Sequence, residues 1–162
     1  MSEGPPDPPI APPGGPYVTA ACLCERVLQE ADGVASLIRV VDRIINSAIG
    51  PAAPDEMPPT AVNLTAAIML KSGSARGRHS LRLTLEAPSG QQVGPEVVLP
   101  VHLEGEERGV NFFVGLNFQA EHEGLYWFNV LFGTQNVLLT RIPLRIIYQP
   151  QRVTASSTDP DD

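Results

Sequence analysis

The sequence has little of what a membrane-spanning or secreted protein carries. No apolar run approaches the roughly 18 residues that a membrane helix needs, and the first residues lack the basic and apolar segments of a secretion signal. The chain of 162 residues contains only two cysteines, Cys22 and Cys24. They lie two apart on a predicted strand, too far along one face for an unstrained disulfide. We therefore expect free thiols, a cytoplasmic location and no membrane insertion.

Basic charge is also scarce. Lysine and arginine total 11 against 18 aspartates and glutamates, which gives a net charge of -7. Proteins that bind nucleic acid neutralise phosphates with a basic face. The charge balance therefore argues against nucleic acid as a partner.

Patterns typical of catalysis and metal binding are missing. The histidines, His79, His102 and His122, have no companion at the spacings of zinc sites. Cys22 and Cys24 could ligate a soft metal, but no further ligand lies nearby in sequence. There is no nucleophile elbow, phosphate-binding loop or dinucleotide fingerprint. We predict no metal site, no cofactor and no enzymatic activity.

Proline divides the chain into a core and two tails. Residues 1–16 are rich in proline and 149–162 are polar and end in an acidic run, so we predict that both are disordered. Residues 17–148 form the predicted single domain. Within it, the proline-rich stretch 49–60 predicts a long crossover, typical of a strand that changes sheets.

Apolar residues in the core alternate with a period of two, which predicts about eight half-buried antiparallel strands. The clearest strands are 61–71, 79–87, 97–103, 110–118, 126–132 and 137–148. The pattern predicts an all-β fold, an antiparallel β-sandwich.

The first hairpin is specific enough to predict its register. Ala31-Asp32-Gly33 fits a three-residue loop closed by a glycine in the left-handed region, with Glu30 opposite Val34. Counting back places Glu25 opposite Arg39, Cys24 opposite Val40 and Cys22 opposite Asp42. Both faces of this hairpin are largely apolar. Either another segment covers it or it belongs to an interface, and we favour a cover formed by the crossover.

Glu123, Gly124 and Tyr126 match the corner that begins a late strand in immunoglobulin-like sandwiches. The glycine relaxes the bend, and the tyrosine hydroxyl bonds to upstream backbone. Phe128 occupies the position where antibody domains have a disulfide cysteine. The motif favours an immunoglobulin-like or C2-like sandwich without the bridge between sheets.

Alternation after the corner predicts a candidate partner surface. It leaves Leu125, Trp127 and Leu131 on the outer face of one strand, with Phe113 on the outer face of the preceding strand. If they are exposed, Trp127 is the expected anchor. The alternative is that the loop at 49–60 covers them.

We predict a non-catalytic protein-interaction or assembly module, which binds a protein partner or forms a homo-oligomer. The alternative is a domain that binds a small ligand or a carbohydrate through Trp127 and loop aromatics. A weaker third alternative is a hydrolase whose site is assembled from dispersed residues. Fold alone does not choose among them.

Several segments carry a resemblance to a known family. They are Cys24 to Val27, Leu37 to Ile44, Arg78 to Leu83, Gly124 to Phe128 and Ile142 to Leu144. Together they resemble a family of small uncharacterised bacterial proteins, a domain of unknown function, from about Thr19 to Ile147. The resemblance implies a bacterial source and supplies no catalytic residue.

Overall fold

The computed structural model describes residues 14–152, and the fold is all-β. Most of the two predicted tails, residues 1–13 and 153–162, lies outside the described residues. The strands are β1 (Tyr17–Gln29), β2 (Ala35–Val41), β3 (Arg43–Ile49), β4 (Thr60–Glu86), β5 (Gln92–Ala120), β6 (Gly124–Phe132) and β7 (Val137–Gln151).

The seven strands belong to one curled sheet, a half-barrel, in the order β2-β1-β4-β6-β7-β3, and β5 pairs with β4. The sequence predicts about eight strands in a two-sheet sandwich, so the structure differs from the prediction in both strand number and sheet arrangement. The long strands β4 and β5 run through the whole sheet. They join a first half-sheet, made of β2, β1, 60–71 and 109–120, to a second, made of 92–103, 77–86, β6, β7 and β3.

The strand count differs because β4 and β5 are each continuous where the sequence predicts two strands, and because the second strand of the first hairpin divides at Asp42 into β2 and β3. Glycine and charge between 72 and 78 and between 104 and 109 have the composition of loops. In the structure these segments are irregularities of one hairpin, with register shifts between Lys71 and Arg76. Backbone pairing resumes beyond them, so the ladder crosses both half-sheets.

The irregular segment also changes which residues face the core. Leu64, Ile68 and Leu70 are buried before it, at even positions, whereas Leu81 and Leu83 are buried after it, at odd positions. Side chains alternate along a strand, so a bulge must shift the phase between these sets. Both sets belong to one hydrophobic cluster on the concave face of the sheet.

The first hairpin has the predicted register. Cys24 pairs with Val40, and the amide of Glu30 donates to the carbonyl of Val34 at 2.8 Å. Gly33 has φ +83°, the left-handed conformation that this loop requires. Arg39 and Glu25 form an ion pair of 2.8 Å. Local turn chemistry therefore determined this register.

After the hairpin the chain changes half-sheets at a single residue. Asp42 separates β2 from β3, and its carbonyl accepts a hydrogen bond of 2.9 Å from the amide of Arg145. β3 then pairs with β7 in parallel, so the prediction of a wholly antiparallel fold is wrong for this pair. The crossover that follows returns the chain to the first half-sheet.

Both ends of the domain differ from the predicted boundaries. Gly14 accepts a hydrogen bond from the amide of Ser74 at 2.6 Å, and Pro16 is buried. At the other end β7 continues to Gln151. The packed domain therefore includes short segments that the composition assigned to the tails.

Candidate interaction surface

The convex face of the first half-sheet is formed by four strands without a charged residue in its centre. Strand register places its members side by side. We call this set the uncharged outer face: Ala20, Cys22, Cys24, Ile38, Val40, Thr65, Ala67, Met69, Asn111, Phe113 and Gly115. Charged side chains such as Arg26 and Lys71 lie towards its ends.

Small residues form the middle of this face. Cys24 and Ala67 are almost fully buried, and the Cys24 thiol donates to the carbonyl of Thr65 at 3.6 Å. Val40, directly opposite Cys24, is 62% exposed. The uncharged outer face therefore combines close packing at its centre with an exposed aliphatic side chain at its β2 edge.

The crossover does not cover this face, contrary to the favoured expectation. Its buried side chains are Ala53 and Met57, and Met57 belongs to the core cluster. The hydroxyl of Tyr148 donates to the carbonyl of Pro54 at 2.8 Å. The crossover therefore packs against the core next to β7, and Val40 remains exposed.

The two cysteines lie on the uncharged outer face as free thiols. Burial raises the pKa of the Cys22 thiol. Burial also raises the pKa of Cys24, with a further contribution from Cys22. Both thiols are therefore held in their neutral form, as a face without charge requires.

The convex face of the second half-sheet is different. Arg82 pairs with Glu96 at 2.6 Å, and Arg141 pairs with Glu86 at 3.0 Å. The Nε of Arg141 also donates to the Oδ1 of Asn129 at 2.8 Å. We call this the ion-paired outer face.

The structure divides the predicted partner surface between these two faces. Leu125, Trp127 and Leu131 lie half-buried along β6, on the ion-paired outer face. Phe113 is also half-buried but lies opposite Ala67, on the uncharged outer face. Among the described residues β6 pairs with β4 and β7 and not with 109–120, so Phe113 is not brought beside Trp127.

A groove surrounds Trp127. The cavity has a volume of about 540 Å³ and is lined by Glu86, Pro88, Ser89, Leu125, Trp127 and Arg145. The guanidinium of Arg141 lies over the indole ring, 4.6 Å from its centroid. A cation over an aromatic face is a favourable arrangement. A sugar that stacks on this face of Trp127 would have to displace Arg141.

The corner residues connect the half-sheets. The Tyr126 hydroxyl donates to the carbonyl of His122 at 2.8 Å, and burial raises the pKa of Tyr126. Glu123 accepts a hydrogen bond from the amide of Tyr148 at 3.0 Å. Gly124 has φ +136°, and a Cβ there would lie 2.7 Å from the Cγ of Pro88. The corner therefore fixes where the chain enters the second half-sheet.

A cleft that the sequence analysis did not identify lies beside the change of half-sheets. It has a volume of about 540 Å³, and Glu25, Arg39 and Arg43 contribute its charged groups. Arg39 adopts a left-handed backbone conformation, φ +54°. No sequence pattern indicates the left-handed backbone at Arg39 or the cleft beside it. The cleft depends on the crossing at Asp42, which brings Glu25, Arg39 and Arg43 together.

Between residues 14 and 152 no group of three or more His, Cys, Asp or Glu side chains could hold a metal ion. Over the same range no helix is long and apolar enough to cross a membrane.

The fold and its two outer faces define a small all-β domain, and comparison with known proteins gives the family. The model of a family of unknown function (DUF6941) matches residues 19–147. The chain belongs to this family, which confirms the resemblance to an uncharacterised family. No curated protein matches the chain.

Proposed function

We propose that this protein is a non-catalytic interaction or assembly module, and that its partner docks on the uncharged outer face. The observation that supports this proposal is the exposure of Val40, 62%, on a face without charge at its centre. The convex face of the second half-sheet has the ion pairs Arg82–Glu96 and Arg141–Glu86 instead.

Composition distinguishes the uncharged outer face from an ordinary solvent-exposed surface. Soluble monomers rarely expose large contiguous apolar patches, and the centres of protein interfaces are depleted in charge. The uncharged outer face has such a centre depleted in charge, where Cys22, Ala67 and Met69 lie side by side. The small side chains of Cys24 and Ala67 at its centre are almost fully buried, so a partner can approach the sheet closely there.

The test compares two exposed valines. Val40→Lys places a charge on the uncharged outer face, and Val98→Lys places one on the ion-paired outer face, where Val98 is 49% exposed. The full chain and both variants are used to capture partners from cells that express the protein, and binding to the purified partner is then measured. We expect Val40→Lys to abolish capture and Val98→Lys to preserve it. Equal capture by both variants would contradict the proposal.

A second candidate function is binding of a small ligand in the Trp127 groove. Its volume of about 540 Å³ lies within the range of ligand sites, and Arg145 supplies a cation at its wall. Trp127 is the single tryptophan of the chain, so its fluorescence reports on this groove alone. Titration with simple sugars and small carboxylates should shift its emission if the groove binds them, and unchanged emission would argue against this function.

We extend the proposal to three further expectations from the sequence: an immunoglobulin-like fold, a bacterial source and a cytoplasmic location. The hydroxyl bond from Tyr126 to His122 supports an immunoglobulin-like relationship of the fold. Two free thiols support a reducing compartment, the cytoplasm of a bacterium. Labelling of the intact cell with a thiol reagent that does not cross membranes should leave Cys22 unmodified.

A further inference from the structure

We propose that two copies of this chain pair through the free edge of β5 between residues 109 and 119, antiparallel and related by a two-fold axis at Val114. The inference rests on the proposed function, because it names a partner for the same half-sheet. It differs in using the strand edge at β5, which lies at the opposite side of the uncharged outer face from Val40.

One edge of β5 has no strand partner among the described residues. Within residues 14–152 it pairs with β4 and with no other strand. The backbone N–H and C=O groups on the other side of β5 therefore have no strand partner in the monomer. Natural proteins protect such edges with charges, prolines and bulges, because an open edge can pair with another chain.

Only one part of β5 is protected in this way. The part from 92 to 108 contains Pro95, Pro100, Glu96, Glu104, Glu106, Glu107 and Arg108. The part from 109 to 119 contains neither a charge nor a proline. One strand therefore carries both a guarded segment and an open one, and the open one borders the uncharged outer face.

The open segment is nearly symmetric in chemistry about Val114. Asn111 and Asn117 are equally distant from it, as are Phe113 and Gly115. In an antiparallel two-fold pair, a residue before the centre lies opposite the equivalent residue after it. Asn111 would face Asn117 of the second copy, and Phe113 would face its Gly115. An aromatic side chain opposite a strand glycine covers backbone that the glycine leaves bare.

The concave side of the segment is equally compatible. Phe112 would face Leu116 of the second copy, and Val110 would face its Phe118. In the monomer Val110, Phe112 and Phe118 are only half-buried, although they pack on the core cluster. A strand added at this edge would cover them, and cross-strand pairs of aromatic and aliphatic residues stabilise sheets.

The other free edges fit a second copy less well. β2 carries Arg39 in a left-handed conformation, φ +54°, which interrupts a regular ladder. β3 begins at the exposed Arg43. In a two-fold pair of β2 edges the two Arg39 side chains would lie close to each other, and a pair of β3 edges would have the charge of Arg43 at each end.

The experiment exploits the predicted pairing of Asn111 with Asn117, which are both exposed. The full chain is compared with Asn111→Lys/Asn117→Lys and with Asn111→Glu/Asn117→Glu by sedimentation velocity over a dilution series. We expect a wild-type dimer and a dissociation constant at least about tenfold higher in each variant, since like charges then face each other. An equimolar mixture of the two variants should restore the dimer.

The control is Gln91→Lys/Gln92→Lys, which makes the same charge change at the guarded end of β5 and should dimerise as the wild type does. Thermal melts establish that every variant is folded. A wild-type chain that stays monomeric, a lysine variant that dimerises normally, or a mixture that does not recover the dimer would each overturn the proposal. None of these results would contradict docking at Val40, because partner capture by Val40→Lys and Val98→Lys tests that proposal separately.

Discussion

The two convex faces of this domain differ in the side chains that they present to solvent. Arg82, Glu86 and Arg141 give the ion-paired outer face charged groups that water solvates, and the guanidinium of Arg141 also lies over the ring of Trp127. The uncharged outer face has small side chains and an exposed Val40 in the corresponding place. Ion pairs at the centre of one face and their absence from the centre of the other indicate that the two faces have different surroundings in use.

The largest expected effect comes from placing a charge at the centre of the uncharged outer face. Ala67 is 1% exposed and lies between Cys22 and Phe113. Ala67→Asp should lower the free energy of unfolding by about 3 kcal/mol or more, because a carboxylate would lose its hydration there. Thr84→Asp, on the half-buried part of the ion-paired outer face, should cost less than about 1 kcal/mol. Urea denaturation measures both, and equal losses would remove the contrast.

A smaller effect is expected when the ion-paired outer face loses its central cation. Arg141→Ala removes the contacts with Glu86, Asn129 and Trp127 and should cost about 1 to 2 kcal/mol, since these groups are partly exposed to solvent. Arg145→Ala is the matched control and should change stability by less than about 0.5 kcal/mol. An unchanged urea midpoint for Arg141→Ala would show that the network contributes only solubility.

Tyr126→Phe tests the corner that leads from the first half-sheet to the second. Loss of the hydroxyl bond to His122 should lower the free energy of unfolding by about 0.5 to 1.5 kcal/mol, the net value of one neutral hydrogen bond. Chemical denaturation again provides the measurement. If the urea midpoint does not move, the hydroxyl has no role in holding the corner.

The smallest effect is expected at alkaline pH. The pKa values of Cys22 and Cys24 are raised from 9.0 by burial, so the unfolded chain loses these protons first as pH rises. The free energy of unfolding should therefore be unaffected below about pH 8 and should fall as pH rises through the unfolded pKa. Urea midpoints near neutral pH and near pH 10 measure the decline. Cys22→Ala/Cys24→Ala should reduce it, and an identical decline in that variant would assign the effect to Tyr126.

Sequence reasoning worked where the determinant was local. The loop Ala31-Asp32-Gly33 predicted the register of the first hairpin, and period-two alternation predicted the all-β fold. The family resemblance was also visible in short segments. Each of these signals depends on residues close together in the chain.

It failed where the determinant was distant. The segments at 72–78 and 104–109 have the composition of loops, and only their mutual pairing keeps them in one hairpin. The separation of Phe113 from Trp127 depends on which strands adjoin, which alternation within a strand does not specify. The cleft at Arg39 arises from a change of half-sheets at one ordinary residue, Asp42.

The parallel pairing of β3 with β7 has a consequence for how the chain folds. Arg43 must meet Arg145, roughly a hundred residues later, and contacts of such separation slow folding. On the ribosome β3 would emerge long before its partner, while the hairpin of β1 and β2 could already form from local contacts. The last of these strands to be synthesised thus completes the sheet, and until then the core-facing Ile44 of β3 is available to chaperones.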